Sequence, residues 1–195
     1  MDNNERGGAR RAARVDARQN RARILAAARV RFAADGIDAQ IDDIAREAEV
    51  AVGTIYHHFG SKDALLEAIV HDRFQRMADH ISSLRDEMDA WAGVEQTLRY
   101  IAERQVHDRA LKAVILSQPA LREASAAGMR EVLIPAIRPV LERAQAAGQV
   151  RADVVAGDLP LLLAGLPGSA AEPTDRERYL EIILAGLRTG GDAAY

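Results

Sequence analysis

Residues Ile41–Lys62 read IDDIAREAEVAVGTIYHHFGSK. Ile41, Ile44, Ala45 and Ala48 recur at helical spacing, which gives a first short helix (about Ile41 to Ala48) one apolar face. Val50 and Val52 follow, and Ile55 and Phe59 carry the buried side through a second helix, about Val52 to His58. The outward side of that second helix holds Gly53, Thr54, Tyr56 and His57, which are small or hydrogen-bonding and poor in charge. Such a surface suits close approach to another surface. Two short helices around a tight turn form a helix-turn-helix, whose second helix enters the DNA major groove.

The longer run Val50 to Leu65, VAVGTIYHHFGSKDAL, resembles the signature of the TetR family of bacterial transcriptional repressors, roughly V-S-x-G-T-[LI]-Y-x-[HY]-F-x-S-K-[DE]-x-L. Phe32, Gly36, Ile44 and Ala45 stand at the family's spacing, so the likeness covers about residues 20 to 68. The resemblance implies an all-α fold of about nine helices, with an N-terminal three-helix helix-turn-helix module and a larger helical ligand-binding and dimerisation domain. It implies a ligand-responsive transcriptional repressor that binds palindromic operator DNA as a homodimer. The expected partners are therefore double-stranded DNA, a second copy of the chain and an unidentified small-molecule effector.

Side-chain chemistry gives the expected DNA-facing residues their roles. Gly53 permits close approach of helix and groove, and Thr54 can bond a phosphate or touch a thymine methyl. The Tyr56 hydroxyl suits a phosphate, and His57 points outward to a base or phosphate. Lys62, with Ser61 as expected helix cap, resembles the family's phosphate-binding lysine, and Arg23 lies near the helix end that the family places by the DNA backbone. Three positions depart from the pattern. Glu49 stands where the family usually has Gly in the turn, so the turn is expected either to be strained by a non-Gly residue at positive φ or to take a different shape. Ala51 replaces the Ser that usually caps the second helix, and Gln40 replaces the usual Thr before the first.

Composition agrees with a helical protein. Hydrophobic residues make up 48% of the 195, aromatics only 4%, and Ala and Leu supply much of the rest. There is no cysteine, hence no disulfide framework, thiolate metal site or cysteine nucleophile. No apolar run approaches the roughly 20 residues that span a bilayer. The Arg-rich start has no apolar core behind it and does not read as a secretory signal. A cytoplasmic protein without membrane contact is expected. The net charge of -3 hides an asymmetry: residues 1–23 carry seven Arg against Asp2, Glu5 and Asp16, whereas the chain beyond Lys62 carries 15 basic and 20 acidic residues. A basic end on an acidic body suits one-sided DNA binding, although a solvated tail would show the same charges.

In domain terms, residues 1–15 read as a disordered basic arm, 16–60 as the DNA-binding domain and 61–195 as the ligand-binding and dimerisation domain. A helix is expected from about Asp16 to Asp35, with Ile24, Leu25, Ala28 and Phe32 as its buried stripe. Another begins at Ser61, with Val70, Phe74, Met77, Ile81, Leu84 and Met88 as one seam. Later helices are expected over Trp91–His107, Arg109–Ser117 and 121–147, the last interrupted near 131–135 by Gly128, Pro135 and Pro139. A final pair covers Asp153–Leu166 and Asp175–Thr189. In that pair Leu159, Leu162, Leu163, Leu166, Leu180, Ile183, Leu184 and Leu187 form wide apolar faces, assigned to the dimer interface by the family's four-helix bundle. Intramolecular core would give the same pattern. Pocket candidates for an effector are Phe74, Met77, Trp91, Tyr100, Gln105, His107, Gln118, Arg122 and Met129.

No nucleophile elbow, P-loop or dinucleotide fingerprint occurs, and the five histidines do not fall at metal-ligand spacing with a carboxylate. The expectation is a protein that is not an enzyme, with no cofactor and no metal. Two other readings stay open at this level. One is an activator or ligand-independent regulator on the same fold. The other is a dimeric helical small-molecule-binding protein whose DNA specificity has been weakened at Glu49, Ala51 and Gln40.

Overall fold

The computed structural model describes residues 3–87, 89–166 and 172–190, with side chains left out at 3–13, 85–87, 106–107 and 109–110. Met88, the Pro167–Gly168 part of the last loop, and the side chains of Arg6, Arg10, Arg11 and His107 therefore lie outside the described residues. The chain is all-α: α1 (Asn3–Asp35), a 3-10 turn (Gly36–Asp38), α2 (Ile41–Glu47), α3 (Val52–Phe59), α4 (Lys62–Glu87), α5 (Ala90–His107), α6 (Arg109–Ser117), α7 (Pro119–Gly128), a π turn (Met129–Leu133), α8 (Ile134–Ala146), α9 (Asp158–Leu162), a 3-10 extension of it (Leu163–Gly165), and α10 (Pro173–Leu187).

Contacts divide the chain into two compact units, residues 1–71 with 110–124 and residues 72–109 with 125–195. The expected boundary near residue 60 is thus displaced to the middle of α4, which runs unbroken past His71. The start of α1 also differs. Its helix begins at Asn3, across the stretch expected to be a disordered arm. Arg and Ala are strong helix formers, and Ala9–Arg14 holds little else, which outweighs Gly7 and Gly8.

The first unit is built on the expected stripe. Ile24, Leu25, Ala28 and Phe32 of α1 are buried with Ile44 and Ala45 of α2, Ile55 of α3, and Leu65, Leu66, Ile69 and Val70 of α4. Each large side chain so buried contributes about 1.5–3 kcal/mol. Ser61 caps α4 as expected, its Oγ accepting from Ala64 N at 3.1 Å.

In the second unit the α4 seam continues through buried Phe74, Met77 and Ile81. Asp89 caps α5 by accepting from Trp91 N and Ala92 N. Gly93 lets α5 press on α8, since a Cβ there would lie 3.3 Å from Val140 Cγ1. Buried Thr97 turns its hydroxyl to Gly93 O at 2.8 Å rather than leave it unpaired. The interruption expected near 131–135 is the π turn Met129–Leu133, just before Pro135, whose nitrogen has no proton to donate to the preceding turn. Past α8, Arg151 N bonds Leu187 O and Thr189 N bonds Gln149 O, around an antiparallel bridge between Val150 and Arg188. That pairing holds residues 149–151 extended. The helix expected from Asp153 starts only at Asp158, whose carboxylate accepts from Val155 N at 2.9 Å.

Gly128 closes this unit against Phe74. A Cβ at Gly128 would sit 2.3 Å from Phe74 Cδ2, far inside contact distance. Gly128→Ala should lower the unfolding midpoint in a urea titration, by about 1–3 kcal/mol of stability. Combining it with Phe74→Leu should recover part of that loss. An unchanged midpoint in the single variant would mean that the ring and the helix end are not packed as described.

Candidate DNA-binding surface

The turn between α2 and α3 positions this surface. Val50 N bonds Ala45 O at 3.0 Å and Glu49 N bonds Arg46 O at 3.2 Å. These two bonds take up carbonyls that the end of α2 leaves free, in a Schellman turn whose outer residue must have positive φ. That residue is Glu49, at φ 52°, the only non-Gly residue with positive φ among those described. The same turn after α8 uses Gly148, at φ 67°. The strained turn expected from the sequence is therefore present.

Ala51 then opens α3 with extended backbone and no side-chain cap, and Gln40 likewise opens α2 without one, its amide donating instead to Asp38 O at 2.6 Å. Along α3, Ile55 faces the core while Gly53, Tyr56 and His57 are exposed and Thr54 is half-buried. Phe59 is half-buried rather than fully inside, with the Arg21 guanidinium 5.3 Å from its ring centre. His58 is half-buried, edge-on to His57 at 5.8 Å.

The two basic candidates both have partners within the unit. Lys62 is half-buried; its Nζ donates to Ile37 O at 2.6 Å and lies 5.8 Å from the Phe32 ring centre. Arg23 donates from Nη2 to Asn20 Oδ1 at 2.8 Å, and its Nη1 lies 3.8 Å from a Glu49 carboxylate oxygen. Two of the three acids of α2 are paired too, Asp43 with Arg46 at 2.8 Å and Glu47 with Arg31 at 2.9 Å.

Two comparisons decide the family. The model described as "Bacterial regulatory proteins, tetR family" matches residues 24–69, and the one described as "Transcriptional regulator SbtR-like, C-terminal domain" matches residues 91–189. The chain belongs to the TetR family. It is a TetR-family transcriptional regulator with an N-terminal DNA-binding domain. A solved TetR transcription regulatory protein from Mycobacterium vanbaalenii is 32% identical with a TM-score of 0.74, over 91% of this chain and 99% of that one. The transcriptional repressor AcnR of Corynebacterium jeikeium is 28% identical over 91% of this chain and 96% of its own length. The transcriptional regulator UidR of Escherichia coli is 42% identical, but the match spans only 29% of either protein. TetR regulators bind DNA and typically act as dimers. No described helix is long and apolar enough to cross a membrane.

The other expected TetR sites distribute differently from the sequence reading. Leu159, Leu163, Leu180, Leu184 and Leu187, assigned to the dimer interface, are buried within the protomer, and Leu166 and Ile183 are half-buried. Of that set only Leu162 is exposed. The outward apolar residues are Leu161 and Ile182, at 72% and 60% exposure. Periodicity finds a stripe but not which stripe faces inward. The runs Leu161-Leu162-Leu163 and Ile182-Ile183-Leu184 supply both faces, and that doubling was the available signal. Gly165 serves the protomer, leaving room for the Tyr179 hydroxyl, which donates to Leu162 O at 2.9 Å.

The pocket candidates occupy separate environments. Gln118 and Arg122 fall in the first unit, where Arg122 donates to Leu116 O. In the second unit Phe74 and Met77 are buried, and Gln105 and Met129 are half-buried. Tyr100 stacks on His80 at 4.0 Å between ring centres. Trp91 lies under Arg188 at 4.2 Å and lines a concavity of about 390 Å³ with Asp89, Gly148, Gln149 and Thr189.

The uncapped start of α3 is directly testable. Ala51→Ser supplies the missing acceptor, and the thermal midpoint followed by circular dichroism should rise by the equivalent of about 0.5–2 kcal/mol. No gain would mean that the hydroxyl turns to solvent instead of the first-turn amides.

Proposed function

We propose that this regulator is a repressor that binds a near-palindromic operator as a homodimer through α3 and is released by a small-molecule effector. The observation that carries the DNA reading is the division of α3 itself. Ile55 anchors it in the core, while Gly53, Thr54, Tyr56 and His57 lie on the opposite side, uncluttered by charge. Thr54 and Tyr56 supply hydroxyls for phosphates, and His57 is free to reach a base edge. Lys62 keeps two of its three donor protons after bonding Ile37 O, so it meets a phosphate from a position already fixed. The likeness to AcnR, a repressor aligned over nearly its whole length, supports repression over activation.

The outward face of the last two helices supports the dimeric reading. Leu161, Leu162, Ile182 and Ile183 line one open concavity of about 600 Å³ with Gly186, and apolar side chains exposed together in this way offer a second copy a surface to bury. Arg151 and Asp153 sit at its edge in a 2.6 Å ion pair, and the hydrogen bond from Arg151 holds the Asp153 carboxyl below its ordinary range. A second copy seated there would give the assembly two copies of α3, as an operator of two half-sites requires. An effector would act in the second unit, where reaching Phe74 and Met77 means opening the packing of Phe74 on Gly128.

The deciding experiment titrates purified protein against the DNA upstream of its own gene at two salt concentrations, with competitor DNA. Tight, competitor-resistant binding to a short near-palindrome is expected. Lys62→Ala should weaken binding across sequences and reduce the salt slope by about 1. An unchanged slope removes Lys62 from the phosphate contacts. For the assembly, Ile182→Asp should convert dimer to monomer in sedimentation velocity, because it buries an unpaired carboxylate at the proposed seam. A dimer that persists in this variant places the interface elsewhere.

A further inference from the structure

We propose that Glu49 sets the DNA affinity of this module by competing with phosphate for Arg23. The inference rests on the DNA reading above and adds to it a residue that limits binding from within. The geometry is specific to the turn. Glu49 follows the end of α2 at φ 52°, and its carboxylate lies 3.8 Å from Arg23 Nη1. Asn20 fixes the other side of the same guanidinium through Nη2 at 2.8 Å. Arg23 is thereby held with one edge on a neutral amide and the other toward a charge.

The neighbouring pairs differ from this one. Glu47–Arg31 closes at 2.9 Å with both side chains about one-third exposed, and Asp43–Arg46 closes at 2.8 Å within one helix. Arg23–Glu49 is longer and wetter, at 49% and 84% exposure. An exposed pair at this distance contributes little to stability, but it still holds Arg23 back from a phosphate that pulls no harder. Its effect on binding is still one-directional. The carboxylate neutralises a cation that would otherwise meet DNA, and it repels the phosphate that approaches. A glycine in its place, the usual residue of the signature, would do neither. The turn therefore carries two separable costs, a backbone one from the positive φ and a charge one from the carboxylate.

The test uses Glu49→Gln, Arg23→Ala and the double variant in the full-length protein. The probe is a labelled random-sequence duplex of roughly 30 base pairs, since counterion release does not depend on sequence. Glu49→Gln keeps the side chain and the positive φ but removes the charge. It should tighten binding about two- to fivefold, the range of an exposed ion pair, and steepen the dependence of log K on log salt by about 0.9, one phosphate. In the Arg23→Ala background the same substitution should do neither. Unaltered affinity and slope in Glu49→Gln overturn the proposal. Equal tightening with and without Arg23 also overturns it, because general repulsion would then be the cause. Wild-type protein that binds no duplex at low salt overturns the DNA reading, and this inference with it.

Discussion

Between α2 and α3 the chain reverses within Ala48–Ala51, and the angle of the recognition helix depends on how it does so. The carbonyls at the end of α2 need donors, and the turn supplies them only if the residue after Ala48 takes positive φ. For any residue but glycine that costs about 1–2 kcal/mol. This chain accepts the cost with Glu49 and also leaves the starts of α2 and α3 without side-chain caps. What holds the turn is the core beneath it. Ile44, Ala45 and Ala48 on one side and Ile55 on the other are all nearly or fully buried. Local sequence and tertiary packing disagree here, and packing wins. Such disagreements concentrate where a surface is shaped for contact.

The sequence made this module legible because two independent signals coincide in it. Helical periodicity located Ile44, Ala45 and Ile55, and the family's usual glycine at the position of Glu49 pointed to the unusual φ. The interruption before Pro135 and the bounds of α6 were legible for the same reason, since proline and glycine act locally. Features set by non-local contacts were not. The division of the chain inside α4 leaves no mark, because a continuous helix with one seam looks the same whether one unit or two use it. The start of α9 was lost to the pairing of residues 149–151 with the end of α10, a contact between segments far apart in sequence.

The register of the apolar faces of α9 and α10 illustrates the limit most clearly. In α9 and α10 nearly every other position is apolar, so burial on one side of the helix leaves a second apolar side by arithmetic alone. Leu163 and Leu184 went inward with Leu159, Leu180 and Leu187, and Leu161 and Ile182 were left outside. A single helix needs only one buried stripe. Among the described residues the second stripe stays exposed, and that surplus is a stronger pointer to a partner than the leucine content that first drew attention to the region.

Lys62 and Arg23 show how the partner of a cation changes what the cation can do. Both are held by groups within the first unit, so in the proposed contacts both would lose little side-chain freedom on meeting DNA. The carbonyl of Ile37 orients Lys62 without cancelling its charge, and the full positive charge stays available to a phosphate. The amide of Asn20 does the same for one edge of Arg23. The carboxylate of Glu49 orients the other edge and cancels charge at once. Preorganisation by a dipole and preorganisation by an opposite charge look alike as distances, yet the first raises affinity for an anion and the second lowers it. If Lys62 and Arg23 meet DNA as proposed, one of each beside α3 would give the module a fixed geometry with a restrained electrostatic pull, and contacts made by α3 would weigh more in the choice of site than beside an unopposed cluster of arginines.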